Sequence, residues 1–199
     1  NGTNYNSNNT SNNGWVQTPA VNLSGYTEAK LTFQCNYQTE TQSIAWDRRF
    51  VRVSSDNFAN TVLNEQVATL AGSTLAGLCA TMGQWHTHMI ALQPAWGTVK
   101  IRFFFDSIDG AKNNYAGWFI DDVKVTGTPT AGGTGGGTGG GTTFGPTYST
   151  GFEDAAGVDG WLFSPMNGIV GWGTDGTPSA VQGLAVASGF KSLNYNNDS

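Results

Sequence analysis

The sequence is short of charge, and above all of positive charge. Charged residues make up 12% of its 199 positions, and nine lysines and arginines leave a net charge of −5. No basic stripe is visible that could neutralise phosphates, so nucleic acids and anionic membranes are not expected partners. Apolar runs stay well below the roughly 20 residues that span a bilayer, so no membrane span is expected either.

Catalytic motifs are also missing. The chain has no Gly-x-Ser-x-Gly, no His-Glu-x-x-His and no phosphate-binding loop, so it offers no identifiable nucleophile or general base. His86 and His88 form a His-x-His pair, but no cysteine or acid stands at ligand spacing in the same run, which favours a half-buried structural pair over zinc. We therefore expect a protein that is not an enzyme.

Cysteine is scarce as well, with Cys35 and Cys79 as the only two. An even number without a Cys-x-x-Cys motif favours one disulfide between them, with two free thiols as the alternative. The chain begins at Asn1 with no apolar signal segment, which indicates a mature product or an excised piece. Candidate N-glycosylation triplets start at Asn1, Asn8, Asn9, Asn22 and Asn197. These features favour a secreted protein, extracellular or at the cell surface.

The sequence is rich in alternating apolar and polar residues, the pattern of β-strands, and in glycine. Apolar and polar residues alternate over 31–37, 51–53 and 99–105, and no amphipathic helical stretch competes with them, so we predict an all-β sandwich or jelly roll. Of the 28 glycines, many lie in residues 131–143, a Gly/Thr-rich tract that cannot bury a side-chain core. This tract is predicted to be a flexible linker.

Several segments carry a family resemblance. Residues 117–125, Gly-Trp-Phe-Ile-Asp-Asp-Val-Lys-Val, resemble the closing strands of MAM-like jelly rolls. These modules accompany immune-inhibitor-A-type secreted proteases and many bacterial surface proteins, and they are similar in plan to carbohydrate-binding modules of families 4 and 22. Residues 15–25 and 31–33 resemble the middle strands of such modules, and residues 151–154, 160–161 and 188–193 resemble the opening strands. The resemblance implies a jelly-roll β-sandwich.

The resemblance also implies a permuted strand order, because the opening strands come last in this chain. Residues 1–127 hold the middle and closing strands, 128–149 form the Gly/Thr-rich linker, and 150–199 hold the opening strands. The opening strands either close onto their own chain or complete the module of a neighbouring subunit or repeat by adding strands to its exposed edge. Repeating the second arrangement joins copies of the chain head to tail, and contacts that do not close into a ring give a filament.

A structural calcium ion bridging the first and last strands is implied by the same resemblance. Calcium takes about six to eight oxygen ligands, and the residues here that match are Glu153 and Asp121, with Asp122 and the carbonyl of Lys191 as weaker ligands. Strand alternation predicts that Asp121 keeps phase with Val123 and faces the sandwich interior, while Asp122 faces away unless a bulge intervenes. The alternative is that these are surface acids at strand ends.

A second oxygen-rich cluster precedes this strand. Asp106, Asp109 and Asn114 lie in one turn-rich stretch but lack the spacing and terminal glutamate of an EF-hand. An ordinary loop with Asx turns is therefore favoured over a second calcium site.

The seven tryptophans divide by position. Trp15, Trp118 and Trp161 match core positions of the resembled modules and are expected to pack inside. Aromatic residues nearer to loops could stack on sugar rings or anchor a protein contact. They are Trp46, Trp85, Trp96 and Trp172, together with Tyr5, Tyr26 and Tyr115.

The interrupted module, the linker and the missing catalytic motifs lead to one hypothesis. The chain is expected to be a non-catalytic extracellular structural or adhesive module, a subunit or repeat of a filament assembled head to tail by strand complementation, with copies of itself as partners. The alternative is a carbohydrate-binding accessory module of a secreted enzyme, with a polysaccharide as its partner.

Overall fold

The computed structural model of the chain describes residues 4–40, 46–67, 82–130, 148–152, 159–164, 171–175 and 192–196. Twelve β-strands lie in these stretches. They are β1 (Asn13–Gln17), β2 (Val21–Asn22), β3 (Tyr26–Gln38), β4 (Arg48–Ser54), β5 (Leu63–Gln66), β6 (His86–Leu92), β7 (Thr98–Asp106), β8 (Gly117–Pro129), β9 (Tyr148–Thr150), β10 (Leu162–Phe163), β11 (Gly171–Asp175) and β12 (Ser192–Asn196). A short 3-10 turn, Pro94–Trp96, connects β6 to β7.

The strands form two antiparallel six-stranded sheets. The first sheet has the order β10-β1-β7-β4-β5, with β2 also paired to β7. The second sheet has the order β11-β12-β8-β3-β6, with β9 also paired to β8. The all-β prediction is thereby confirmed, and two antiparallel sheets around one core are consistent with a β-sandwich. None of the described stretches forms a helix long and apolar enough to cross a bilayer.

The core forms because each long strand buries every second side chain. In β7 the buried residues alternate with half-exposed ones, and Phe103 and Phe105 are fully buried. In β3 the same alternation buries Leu31 and Phe33. Phe33 meets Phe103 edge to face, with ring centroids 5.1 Å apart, and so joins the two sheets.

Strands from the end of the chain complete both sheets. β10 pairs with β1 in the first sheet, while β9 and β12 pair with β8 in the second. Their segments also fill the core, and the buried side chains they contribute are Phe152, Trp161, Trp172, Leu193 and Tyr195. The two parts of the chain therefore share one core.

The strand bounds differ slightly from the predicted divisions of the chain. β8 continues to Pro129 and β9 begins at Tyr148, so strand structure enters both ends of the predicted linker, 128–149. The Gly/Thr-rich tract itself, residues 131–143, lies outside the described residues.

Candidate functional sites

A β-bulge shapes β8 at its two aspartates. Thr32 pairs with Lys124, but the next assigned pair is Gln34 with Asp121, so β8 holds one residue more than β3 at this point. Asp122 takes the extra position in a left-handed conformation, with φ 48°. The bulge that sequence analysis allowed for is therefore present.

The extra residue of the bulge changes which side chains of β8 point into the core. Before it Trp118 and Ile120 belong to the core, and after it Val123 does. Asp121 consequently alternates with Ile120 rather than keeping phase with Val123, and it lies on the outer side of the second sheet. The prediction that Asp121 faces the sandwich interior is wrong, because strict alternation does not survive an inserted residue.

Asp121 is nevertheless fully buried. Its Oδ1 accepts the backbone N–H of Asp122 at 2.8 Å. A buried carboxylate needs compensating partners, and a bound cation is one of them. The pairing of Thr150 with Val123 brings the chain that leads to Glu153 alongside this part of β8. Glu153 and Lys191 themselves lie outside the described residues, so the calcium site stays a prediction.

His86 and His88 lie on the core-facing side of β6. They share this face with Ile90 and Leu92, as predicted. His88 is buried, and its Nε2 lies 3.1 Å from Oε1 of Glu65 on the other sheet. Across the described residues, no three histidine, cysteine or acidic side chains are grouped so that they could hold a metal ion.

The loop after β7 is built from Asx turns, as predicted. Oδ1 of Asp106 accepts the backbone N–H of Ile108 at 3.0 Å, and Oδ1 of Asp109 accepts that of Ala111 at 2.8 Å. Oδ1 of Asn114 is occupied by the side-chain amide of Asn6, at 3.1 Å. These oxygens organise the loop itself.

Cys35 is buried in the core, and it is not a free thiol. The indole Nε1 of Trp118 donates to its Sγ at 3.2 Å. Cys79, the predicted disulfide partner, lies outside the described residues, so the pairing of the two cysteines stays a prediction.

The aromatic residues proposed for sugar stacking do not form one surface. Trp46 is 37% exposed, whereas Trp85 packs against Phe119 and Trp96 packs against the main core. Trp172 is only 5% exposed and meets Trp118 edge to face at 5.4 Å. The assignment of Trp172 to an accessible loop is wrong, because β11 brings its side chain into the core.

Two further aromatic predictions are wrong for similar reasons. Tyr5 is fully buried, with its ring against Phe105 at 5.0 Å, so it cannot stack on a sugar. Trp15 lies half-buried on the outer side of β1, under the guanidinium of Arg102. The core prediction holds for Trp118 and Trp161 but not for Trp15, because its neighbour Val16 takes the inward position.

The candidate glycosylation asparagines that the structure describes are accessible. Asn8 and Asn9 form an exposed turn with φ of 53° and 59°, and Asn22 is exposed on β2. Asn1 and Asn197 lie outside the described residues.

The structure also contains a buried polar cluster that the sequence pattern does not predict. The Tyr5 hydroxyl donates to Oδ2 of Asp47, and the backbone N–H of Glu40 donates to the same oxygen at 2.6 Å. Arg49 is buried beside them, donates to Thr39 and stacks on the Tyr37 ring at 3.9 Å. Glu40 in turn pairs with Lys112 at 3.2 Å.

Burial sets the protonation of this cluster. It raises the pKa of Asp47 to about 7, although the hydrogen bonds from Tyr5 and Glu40 act in the opposite direction. Burial also raises the pKa of Tyr5 and lowers that of Arg49 to about 10. The residues come from distant parts of the chain, so no local spacing could have revealed them.

No family model matches the chain, and neither does any curated protein. Among solved structures, one similar chain is the K1 cleaved adhesin domain of Lys-gingipain from Porphyromonas gingivalis. It is 23% identical over 46% of this chain and 57% of that one, with a TM-score of 0.27. A TM-score of this size does not establish a shared fold.

The feature of the described structure most relevant to function is the way in which the end of the chain completes both sheets. The end of the chain supplies strands to both sheets and large side chains to the core. The predicted calcium ligand Asp121 lies on β8, the strand that two of these added strands contact.

Proposed function

We propose that the chain is a non-catalytic extracellular structural or adhesive module whose copies join head to tail by exchanging strands. The observation that carries the proposal is the completion of both sheets by strands from the end of the chain. Such strands form the same contacts whether they come from the same chain or from a neighbour.

The contacts made by the added strands are strong enough to hold exchanged copies together once they have formed. Tyr195 and Leu193 are fully buried, and Trp172 is nearly so. Full burial of one large apolar side chain is worth roughly 1.5–3 kcal/mol, and β12 adds backbone pairing along β8. A copy that receives these strands from its neighbour gains the same stabilisation as a copy that closes on itself.

The connection to the added strands has the reach that exchange requires. β8 ends at Pro129 and β9 begins at Tyr148. At roughly 3.3–3.6 Å per residue, the intervening chain can extend to about 60 Å. Each copy then donates strands to one neighbour and receives them from another, and this heterologous contact gives a filament unless it closes into a ring.

Calcium belongs to the same proposal. A cation held by Asp121, with Asp122, Glu153 and the Lys191 carbonyl as further ligands, would join β8 to the segments that complete the module. Calcium would therefore stabilise the joined state in either arrangement.

The sugar-binding alternative receives less support at the aromatics first considered for it. Trp172 is buried in the core, and Trp85 and Trp96 are partly buried against core clusters, which leaves Trp46 as the exposed one of the four. A single accessible tryptophan makes a small platform for a polysaccharide.

Light scattering and electron microscopy of the purified chain over a range of concentrations test the assembly. The proposal expects multimers that grow with concentration, and fibres at the highest. A compact monomer throughout the range would contradict exchange and leave the self-closed module as the functional form.

A further inference from the structure

The outer face of the first sheet gathers positive charge that is scattered in the sequence. β4 and β7 pair so that Arg52 lies directly opposite Arg102, and Lys100 lies opposite Ser54. The face defined here as the basic face comprises Arg48, Arg52, Lys100 and Arg102 with the aromatic residues Trp15, Phe50, Phe58 and Phe104. It holds four of the nine cations of a chain whose net charge is −5. The fold thus gathers cations that the overall composition does not place together.

Aromatic rings hold the guanidinium groups of Arg52 and Arg102, the two central cations of the basic face, in place. Arg102 lies between the rings of Trp15 and Phe58, 3.9 and 3.8 Å from their centroids. Arg52 lies 3.9 Å from the centroid of the Phe104 ring. Such stacking fixes the plane of a guanidinium group and leaves its edge available for hydrogen bonds.

The loop after β4 adopts a costly conformation to build this arrangement. Asn57 and Phe58 both have positive φ, 61° and 66°, which is uncommon for any residue with a Cβ and more so for a bulky one. The loop is held by the backbone N–H of Phe58, which donates to Oγ of Ser54 at 2.8 Å. Asn57 accepts a hydrogen bond from Lys100 at 2.9 Å. Strained backbone of this kind is typical of ligand sites.

The two central arginines still have donors to offer. Nε of Arg102 donates to Gln17 at 2.8 Å, and Nε of Arg52 donates to Asn64 at 3.0 Å. The terminal nitrogens of both side chains have no hydrogen-bond partner in the described structure. Four terminal N–H₂ groups thus lie on one pair of adjacent strands.

The charges of Arg52 and Arg102 repel each other. Asp106 pairs with Arg48 at 3.0 Å and also favours the charged form of Arg52, while Asp56 lies in the loop that carries Asn57 and Phe58. Burial lowers the pKa of Arg102, and the neighbouring charge of Arg52 lowers it further. Like charges directly opposite each other weaken a sheet. An anion placed between Arg52 and Arg102 would relieve this repulsion and use the free donors together.

We propose that the basic face binds an acidic polysaccharide, with a carboxylate or sulfate group of the sugar chain bridging Arg52 and Arg102. Guanidinium groups match the geometry of such oxyanions. The exposed side-chain amide of Asn64 stands beside Arg52 and suits a sugar hydroxyl, whereas Gln17 is buried and only fixes the position of Arg102. This inference does not depend on how the copies assemble.

The spacing of the cations favours a sparsely charged linear ligand. Arg48 precedes Arg52 by four residues on β4, or roughly 13 Å, and Lys100 lies two residues from Arg102 on β7, or roughly 7 Å. The cations therefore follow the strand direction over about 20 Å. A nucleic acid carries far denser charge, and most of its phosphates would meet no cation on this face.

Calorimetric titration of the full chain with polygalacturonate, dextran sulfate and neutral dextran tests the proposal. The expected result is binding to one or both acidic polymers, weakened by added salt, and none to neutral dextran. Arg52→Gln and Arg102→Gln should each lower the affinity about tenfold or more, the usual effect of losing a charge-assisted contact. The matched control is Lys30→Gln with Lys124→Gln on the other sheet, where both lysines are exposed; it should bind as the unmodified chain does.

Other outcomes overturn the proposal. Failure to bind either acidic polymer would refute it, as would equal binding of neutral dextran or unchanged affinity in both arginine variants. Tighter binding of single-stranded DNA than of either acidic glycan would assign the face to nucleic acid instead. Circular dichroism confirms that each variant is folded. Light scattering on the same samples measures assembly separately, so a failure of polysaccharide binding can be told from a failure of strand exchange.

Discussion

The buried carboxyl of Asp47 should make the stability of the fold depend on pH. Burial raises its pKa in the folded state to about 7, against 3.8 in the unfolded chain. The folded state therefore binds the proton more tightly than the unfolded state. This contribution to stability is complete below pH 3.8 and is lost as the pH rises through about 7. The usual case for an aspartate, greater stability at higher pH, is reversed here.

The size of the effect follows from the two pKa values. Each tenfold difference in proton affinity is worth about 1.4 kcal/mol, so the difference between 3.8 and about 7 amounts to about 4 kcal/mol at most. Most of it should appear between pH 5 and pH 8. The pKa of Arg49, about 10, keeps that residue charged throughout this range.

Urea unfolding followed by tryptophan fluorescence measures the effect. The free energy of unfolding should be lower at pH 8 than at pH 5 by a few kcal/mol. Asp47→Asn removes the titration and should flatten the dependence, whereas Glu28→Gln, at an exposed acid on β3, should leave it unchanged. An Asp47→Asn protein with the full pH dependence of the parent would refute the reasoning, and so would a parent that is more stable at pH 8.

Two further predictions concern the added strands. Trp172→Ala should lower the free energy of unfolding by about 3–5 kcal/mol because it empties a core position. Trp46→Ala changes an accessible side chain and should lower it by less than about 1 kcal/mol. Equal losses of stability in thermal melting would contradict the assignment of Trp172 to the core. If Asp121 holds calcium, a chelator should lower the melting temperature of the parent protein, and Asp121→Asn should abolish that shift. A parent melting curve unaffected by chelator would count against the calcium site.

Local alternation was enough to predict the strands that form the centre of the fold. β3 and β7 alternate apolar and polar residues along most of their length, and their buried residues are those that the pattern indicates. The pairing of β9 and β12 with β8 joins distant parts of the chain, which local alternation does not indicate.

Features that depend on register could not be predicted in this way. The inserted residue at Asp122 changes which side of β8 faces the core, and nothing in the local sequence marks the change. Trp15 was placed inside by family resemblance, but the alternation of β1 gives the inward position to Val16. A one-residue difference in phase moves every side chain to the other face.

The polar cluster and the basic face needed the tertiary structure. Tyr5 and Asp47 meet only because two distant loops lie together. Arg52 and Arg102 each occupy an outward position of a recognisable strand, but their pairing depends on the register of β4 against β7. Composition alone suggested a chain without a basic surface, because a net charge does not say where the charges gather.

Disulfide trapping tests strand exchange most directly. Lys124 of β8 and Ser149 of β9 are paired across the added strand, and both are exposed, so Lys124→Cys with Ser149→Cys should form a bond wherever β9 docks. After oxidation at high protein concentration, a non-reducing gel should show a ladder of covalent multimers, absent from the single variants and from the parent with its native cysteines. Bonds confined to monomers at every concentration would show that the module closes on its own chain and would contradict assembly by exchange.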